Sequence, residues 1–308
     1  MSKLNIVMYH YVRPIINSEY PGIKGLELDG FKRQLDYLEN HYCFVTANQV
    51  NDAILKKKKL PSNACWLTFD DGFKDHINYV VPELLKRNIS AAFFPPSDVV
   101  TDNISLNVHL IQHILSCSKS FKSLVLDLNS LCKQHGISEH SINSYYKKYA
   151  ITGRYDEPDV VYVKRMLQHV LPEQVQNEIT SALFTKYLGL SKSEFSNKLY
   201  MNIEDLSKLI KCGMYVGSHG ARHYWLNKIS EEKQREDIKS SLEFLEEIGT
   251  PTSDWIMCYP FGGYNDSTLS IVKEYGGSIG LTTKVGAALI GKVNPLTLPR
   301  FDTNDFPQ

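Results

Sequence analysis

The 308-residue sequence has no excess charge of either sign, because 34 acidic side chains balance 34 basic ones. Without a net field there is no global attraction for nucleic acid or an anionic bilayer, so a neutral or locally recognised substrate is expected. The sequence also has no Cys-x-x-Cys pair. Its six cysteines (Cys43, Cys65, Cys117, Cys132, Cys212, Cys258) are scattered, and several stand in apolar runs such as Cys65-Trp66-Leu67. They read as reduced, mostly buried thiols in a reducing compartment. No apolar run approaches the roughly 18 residues of a spanning helix, which excludes a transmembrane segment. Around Val7 the apolar run is too short for a signal-peptide core, so a cytoplasmic location is expected. There is no repeat and no low-complexity linker. The one charge run, Lys56–Lys59, precedes Pro61-Ser62-Asn63 and reads as a solvated helix end rather than a phosphate or membrane patch.

What is present suits a large core: 43% of residues are hydrophobic and 22% charged. Short β-type runs alternate with helical periodicity. Leu4–Tyr9, Trp66–Phe69, Ser90–Phe94, Met214–Gly217 and Trp255–Tyr259 are predicted strands. Helices are expected over Phe31–Asn40, in a stretch up to Arg87 with Pro82 in its first turn, after a Ser230 cap, and after an Asp266 cap with Gly276-Gly277 as its end. Such alternation builds a parallel sheet, open or closed into a barrel, with function at the carboxyl ends of the strands. From about residue 99 to 200 the strand signals vanish, and this stretch reads as a largely helical insertion.

Two segments carry chemistry. Leu67-Thr68-Phe69-Asp70-Asp71-Gly72 sets two adjacent acids after a buried strand, where they must cap a helix or bind something cationic. Gly217-Ser218-His219-Gly220-Ala221-Arg222-His223 also follows a strand, and its imidazoles, four residues apart, are expected on one face of a helical turn. An Asp with two His fits a catalytic divalent-metal site with an open position. The rival pair His109 and His113 follows no strand and reads as polar-face histidines of an amphipathic helix.

Together the Thr68-Phe69-Asp70-Asp71-Gly72 and Ser218-His219-Gly220-Ala221-Arg222-His223 motifs resemble those of the polysaccharide deacetylases, the NodB-like carbohydrate esterases, over about residues 4–97 and 201–303. The resemblance implies an α/β fold, a distorted (β/α)7 barrel, here one domain over 1–308 with the helical insertion at about 99–200. It implies Asp70 as general base, with Asp71, His219 and His223 holding a divalent metal, zinc first and cobalt, nickel or iron as alternatives. Where the family's third motif often begins with an Arg bracing the catalytic Asp, this chain has Cys258-Tyr259-Pro260-Phe261-Gly262, a form similar to the biofilm poly-N-acetylglucosamine deacetylases. Arg300 is the candidate for the bracing role. The late Leu-x-His motif is missing. In the permuted subgroup a His after the first strand is the general acid, and Met8-Tyr9-His10-Tyr11-Val12 fits that form, with His10 expected in the metal pocket opposite Asp70. An oxyanion would be met by the metal and a backbone N–H near Phe261. Tyr259, Pro260, Phe261, Tyr264 and Trp225, with Trp255, are candidates to contact a sugar.

The implied reaction is removal of the N-acetyl group from an N-acetylated sugar or glycan, nucleotide- or lipid-linked, during surface-polysaccharide assembly, with no nucleic-acid partner. N-deformylation of a lipid-linked amino sugar and a catalytically inactive carbohydrate-binding homologue are the alternatives. A glycosidase is disfavoured, since it needs carboxylates roughly 5–9.5 Å apart across the sugar and Asp70 and Asp71 are neighbours.

Overall fold

The computed structural model describes residues 2–153 and 156–308. These fall into two compact units, one formed by 2–14, 25–104 and 196–308, the other by 15–24, 105–153 and 156–195.

The first unit is built on parallel strands. β1 (Lys3–Tyr9) lies beside β2 (Ala64–Asp70) in a register running from Leu4 opposite Ala64 to Tyr9 opposite Phe69. β3 (Ala92–Phe94) follows β2, and β4 (Tyr215–Val216) follows β3. A single bridge from Ser218 to Met257 carries the ring on to β5 (Trp255–Cys258), which pairs with β6 (Gly277–Leu281). Another bridge, Leu281 to Leu298, leads to β7 (Phe301–Asp302), which returns to β1 with Val7 opposite Phe301. Seven strands thus close a ring whose last steps are narrow bridges, which is how the barrel is distorted.

Alternation along each strand decides which side chains face inward. Ile6, Ala64, Trp66, Ala92, Phe94, Ile256, Cys258, Ile279, Leu281 and Leu298 pack together in one buried cluster. Tyr9, Leu67, Phe69, Phe93 and Val216 instead pack with the helices, namely Phe31, Leu35 and Leu38 of α1 (Leu28–His41), and residues further along the chain such as Leu206, Leu209 and Phe244. Every residue of β2 is buried. The even-numbered face that begins with Ala64 and Trp66 continues through Thr68 to Asp70, so Asp70 reaches the carboxyl end of the strand pointing into the ring.

Further helices of this unit are α2 (Ala47–Leu55), α3 (Val81–Lys86), α4 (Ser97–Thr101), and, later in the chain, the helices over Ile203–Lys211, Glu231–Glu247 and Asp266–Glu274. Ser230 caps Glu231–Glu247 as expected, its side chain accepting from the Lys233 N–H. The last helix differs from expectation: Asn265 is its cap, bonded to the Thr268 N–H, and Asp266 is the first helical residue. Gly277 is not a helix end but the start of β6, whose glycines disguise it in the sequence. The second unit is helical, containing Asn107–Cys117, Phe121–Gln134, Glu139–Tyr149, Pro158–Arg165 and Glu173–Leu188. No helix among the described residues is long and apolar enough to cross a membrane. All six cysteines are free thiols, but only Cys65, Cys132 and Cys258 are buried, and Cys43 and Cys212 are exposed.

Candidate active site

Asp70 and Asp71 stand at the carboxyl end of β2 and diverge because the backbone turns sharply between them, Asp71 adopting φ 71° and Gly72 φ 68°. An L residue in the left-handed region is strained, and such strain collects where geometry matters more than local stability. A side chain at Gly72 would meet the Pro95 ring at 2.7 Å, so glycine is required for the turn as well as for its φ.

Arg300, immediately before β7, reaches across the ring to Asp70. Its two terminal nitrogens donate to the two carboxylate oxygens at 2.9 and 2.7 Å, while Nε donates to the Thr282 carbonyl at 2.9 Å and Nη1 also to Thr68 Oγ1 at 3.1 Å. Both side chains are buried. Burial alone pushes the Asp70 carboxyl up; the Arg300 charge and its hydrogen bonds, helped by His219 and His10, outweigh this and hold it down at about 2.

The imidazoles of His219 and His223 reach Asp71 by a different route from the expected helical turn. Residues 217–224 form an irregular loop with Gly220 at φ 68° and His223 at φ 57°. Its backbone is pinned from two sides: the N–H groups of Ala221 and Arg222 donate to the Asp237 carboxylate at 3.1 and 2.9 Å, and the carbonyls of Gly220 and Ala221 accept from the N–H groups of Ser97 and Asp98. Asp98 also receives Arg222 Nε at 3.0 Å. The Asp71 Oδ1 atom lies 3.4 Å from His219 Nε2 and 3.2 Å from His223 Nε2. His219 donates through Nδ1 to the Cys258 carbonyl at 2.7 Å, which leaves the Nε2 lone pair facing Asp71.

Asp71, His219 and His223 form a buried group whose ligand atoms lie within 4.8 Å of one another. A tetrahedral ion with bonds of about 2.0–2.2 Å needs donor atoms about 3.3–3.6 Å apart, so these spacings, with one carboxylate and two imidazoles, fit a zinc-type site. A second group, Asp70, His219 and Cys258, also meets the distance condition. There Arg300 already occupies both Asp70 oxygens, and a cation would have to displace a guanidinium.

His10, at the end of β1, is brought to the same strand ends. Its Nε2 lies 3.9 Å from Asp70 Oδ2, with a half-exposed side chain. This differs from the expected position across the pocket: β1 and β2 are adjacent and in register, so the residue after Tyr9 falls beside Asp70. Trp225 and Phe261 stack with ring centres 4.4 Å apart and planes 5° apart, and Phe261, held at φ 58°, sets its ring against His223 at 4.5 Å. Trp225 is exposed. The remaining candidates for sugar contact are wholly or partly buried. Tyr259 is fully buried with its hydroxyl donating to the Leu296 carbonyl, Pro260 is buried, Tyr264 is half-buried with its ring packed on Tyr259, and Trp255 is core with Nε1 bonded to the Tyr275 carbonyl.

His109 and His113 are not on a polar face. Both are buried, and the His113 ring packs between Tyr20 and Phe195. Neither belongs to a potential metal group among the described residues. Sequence reading missed Asp98 and Asp237, which touch the site only through backbone amides and a loop arginine and carry no local signature.

A sequence profile of the polysaccharide deacetylase family matches residues 57–279. A Bacillus subtilis (strain 168) protein whose name assigns it to the polysaccharide deacetylases, YxkH, is 27% identical over 92 residues, which is 30% of this chain. The match spans 33% of that relative's length. Two solved structures share the fold over nearly the whole chain. The Streptococcus pyogenes deacetylase PplD, in complex with acetate, superposes with a TM-score of 0.60 at 18% identity, covering 98% of this chain and 92% of that one. IcaB from Ammonifex degensii does so with a TM-score of 0.57 at 19% identity, covering 97% and 91%.

Proposed function

The chain belongs to the polysaccharide deacetylase family, and from that premise we propose that it is a metal-dependent hydrolase removing the N-acetyl group from an N-acetylated amino sugar. The observation that carries this reading is the pairing of an ionised, Arg-held Asp70 with the Asp71, His219 and His223 donor set on the same strand ends. A divalent ion held there, zinc by the donor set, would supply the Lewis acidity that polarises the amide carbonyl and makes water acidic enough to attack near neutral pH.

The chain's own residues do the rest. Arg300 keeps the Asp70 carboxylate ionised and fixed in plane, leaving one lone pair on each oxygen for the attacking water. A carboxyl held at about 2 is a weak base, so Asp70 acts through position more than basicity, taking the proton as the new bond forms. A backbone N–H near Phe261 would meet the developing oxyanion. His10, beside Asp70, gives a proton to the departing amine, so the products are acetate and a free amino sugar. The exposed face of Trp225, braced by Phe261, offers a pyranose ring a flat apolar contact.

In this reading the chain is one barrel domain with a helical insertion, working in the cytoplasm on a nucleotide- or lipid-linked precursor of a surface polysaccharide. The test is mass spectrometry of N-acetylated sugars, nucleotide-linked and lipid-linked, after incubation with metal-loaded protein. Loss of one acetyl group with matching free acetate is the expected result. Formate release from an N-formyl sugar in place of acetate would replace the reading by deformylation, and unchanged sugars throughout would leave a binding protein.

A further inference from the structure

Immediately after the acid pair, residues 73–76 touch the segment that carries His10 at three successive points. Phe73 stacks on Tyr11 with ring centres 4.0 Å apart. Asp75 accepts from Arg13 Nε at 2.6 Å, and both side chains are largely buried. His76 Nε2 lies 2.9 Å from the backbone carbonyl of His10 itself. A carbonyl can only accept, so Nε2 carries the proton.

His76 is fully buried and ringed by Phe69, Phe73 and Phe93 at 5.3, 5.8 and 5.7 Å. A phenyl ring would suit those walls better, since an imidazole brings polar atoms whose burial must be offset. What the imidazole adds is the bond to His10. Burial pushes it down to about 4, against that bond and the nearby Asp71 and Asp70, so the ring is neutral at physiological pH and keeps one tautomer. The chain is also locally widened here: His76–Val80 forms a π-type turn, in which the Val81 N–H bonds to the His76 carbonyl. Such insertions recur where a side chain must be re-aimed.

We propose that Phe73–His76 is a clamp that positions His10, with His76 as its decisive donor, so that one segment sets both the acid pair and the proton donor. This rests on His10 being the general acid. The clamp tethers the backbone of His10 and leaves its half-exposed ring, which faces Asp70, free to meet substrate.

The test compares His76→Phe, His76→Gln and His10→Asn on an N-acetylglucosamine oligomer and on 4-nitrophenyl acetate, whose leaving group needs no proton. His10→Asn should lower kcat on the amide by about a hundredfold or more and spare the ester. His76→Phe, which keeps the packing, should lower amide kcat by about tenfold or more with KM and ester turnover little changed, because small misplacements of a reacting group are costly. His76→Gln, whose Nε2 can donate to the same carbonyl, should recover part of the loss. In ¹⁵N spectra of the wild type the His76 Nε2–H should persist in slow exchange from about pH 5 to 8. A rapidly exchanging or Nδ1-protonated His76 would overturn the clamp whatever the substrate. Amide-selective loss in His10→Asn with none in His76→Phe would overturn the clamp alone. Loss of amide selectivity in both variants would overturn the acid role and the clamp with it.

Discussion

Arg300 gives both terminal nitrogens to Asp70, and the value of that pair lies in what each group would be without the other. Breaking a buried, hydrogen-bonded ion pair from one side costs about 3–5 kcal/mol, because the remaining charge is left unsolvated. The linkage has a sign. With its carboxyl held at about 2, below the ordinary value of 3.8, Asp70 contributes stability above the ordinary value and loses it as pH falls through about 2. In Arg300→Met, burial has no guanidinium to oppose it and the carboxyl moves up, with only His219 and His10 still lowering it. The pH–rate profile should then acquire an acid limb at least about one unit higher than that of the wild type, with Arg300→Lys between them. An acid limb unmoved in both variants would mean that Arg300 does not set the ionisation of Asp70. The two aspartates and two histidines of the site were legible in the sequence because each pair is local and follows a strand. Arg300 was legible only through the resemblance, and the bond itself joins residues 230 positions apart.

Among the elements, the loop from Gly217 to Tyr224 carries two of the three proposed ligands without a helix or strand to shape it. Asp237, on the helix Glu231–Glu247, does the shaping through its two bonds to the loop backbone. Gly220 is part of the same fit: a Cβ there would lie 2.5 Å from Asp237 Oδ2, on a backbone at φ 68°. Asp237→Asn turns one acceptor into an NH₂ facing a loop N–H, so it should weaken metal affinity by about 10–100-fold in a metal titration while leaving the ligands in place. Unchanged affinity would reduce Asp237 to a packing role. Periodicity found most elements but not their ends. Met214–Gly217 shortens to Tyr215–Val216 because the next residues leave the ladder to bridge β5, and β6 escaped notice because Gly276-Gly277 reads equally well as a helix stop. Asp237 could not be found this way, since its work is done on backbone groups some 15 residues away.

For the whole molecule, ring closure is what turns separate motifs into a site. His10, Asp70, the histidine loop, Phe261 and Arg300 come from β1, β2, the segment after β4, the segment after β5 and the segment before β7, and all meet at the carboxyl ends of the strands. The α/β class was legible from strand–helix alternation, the barrel only through the resemblance, and the helical character of Asn107–Leu188 from the loss of strand signals. The closing contacts were not, because single bridges such as Leu281 to Leu298 leave no hydrophobic pattern of their own. In the proposed function one metal-bearing site performs the hydrolysis with Asp70 as its base. This function is tested most directly by measuring bound divalent metal and acetate release on the same preparations of wild type and Asp70→Asn. One ion per chain is expected in both proteins, with acetate release falling by about a hundredfold or more in the variant, since an amide can hold a water but cannot take its proton. Near-normal acetate release from Asp70→Asn, or an ion retained after Asp71, His219 and His223 are all replaced, would contradict it.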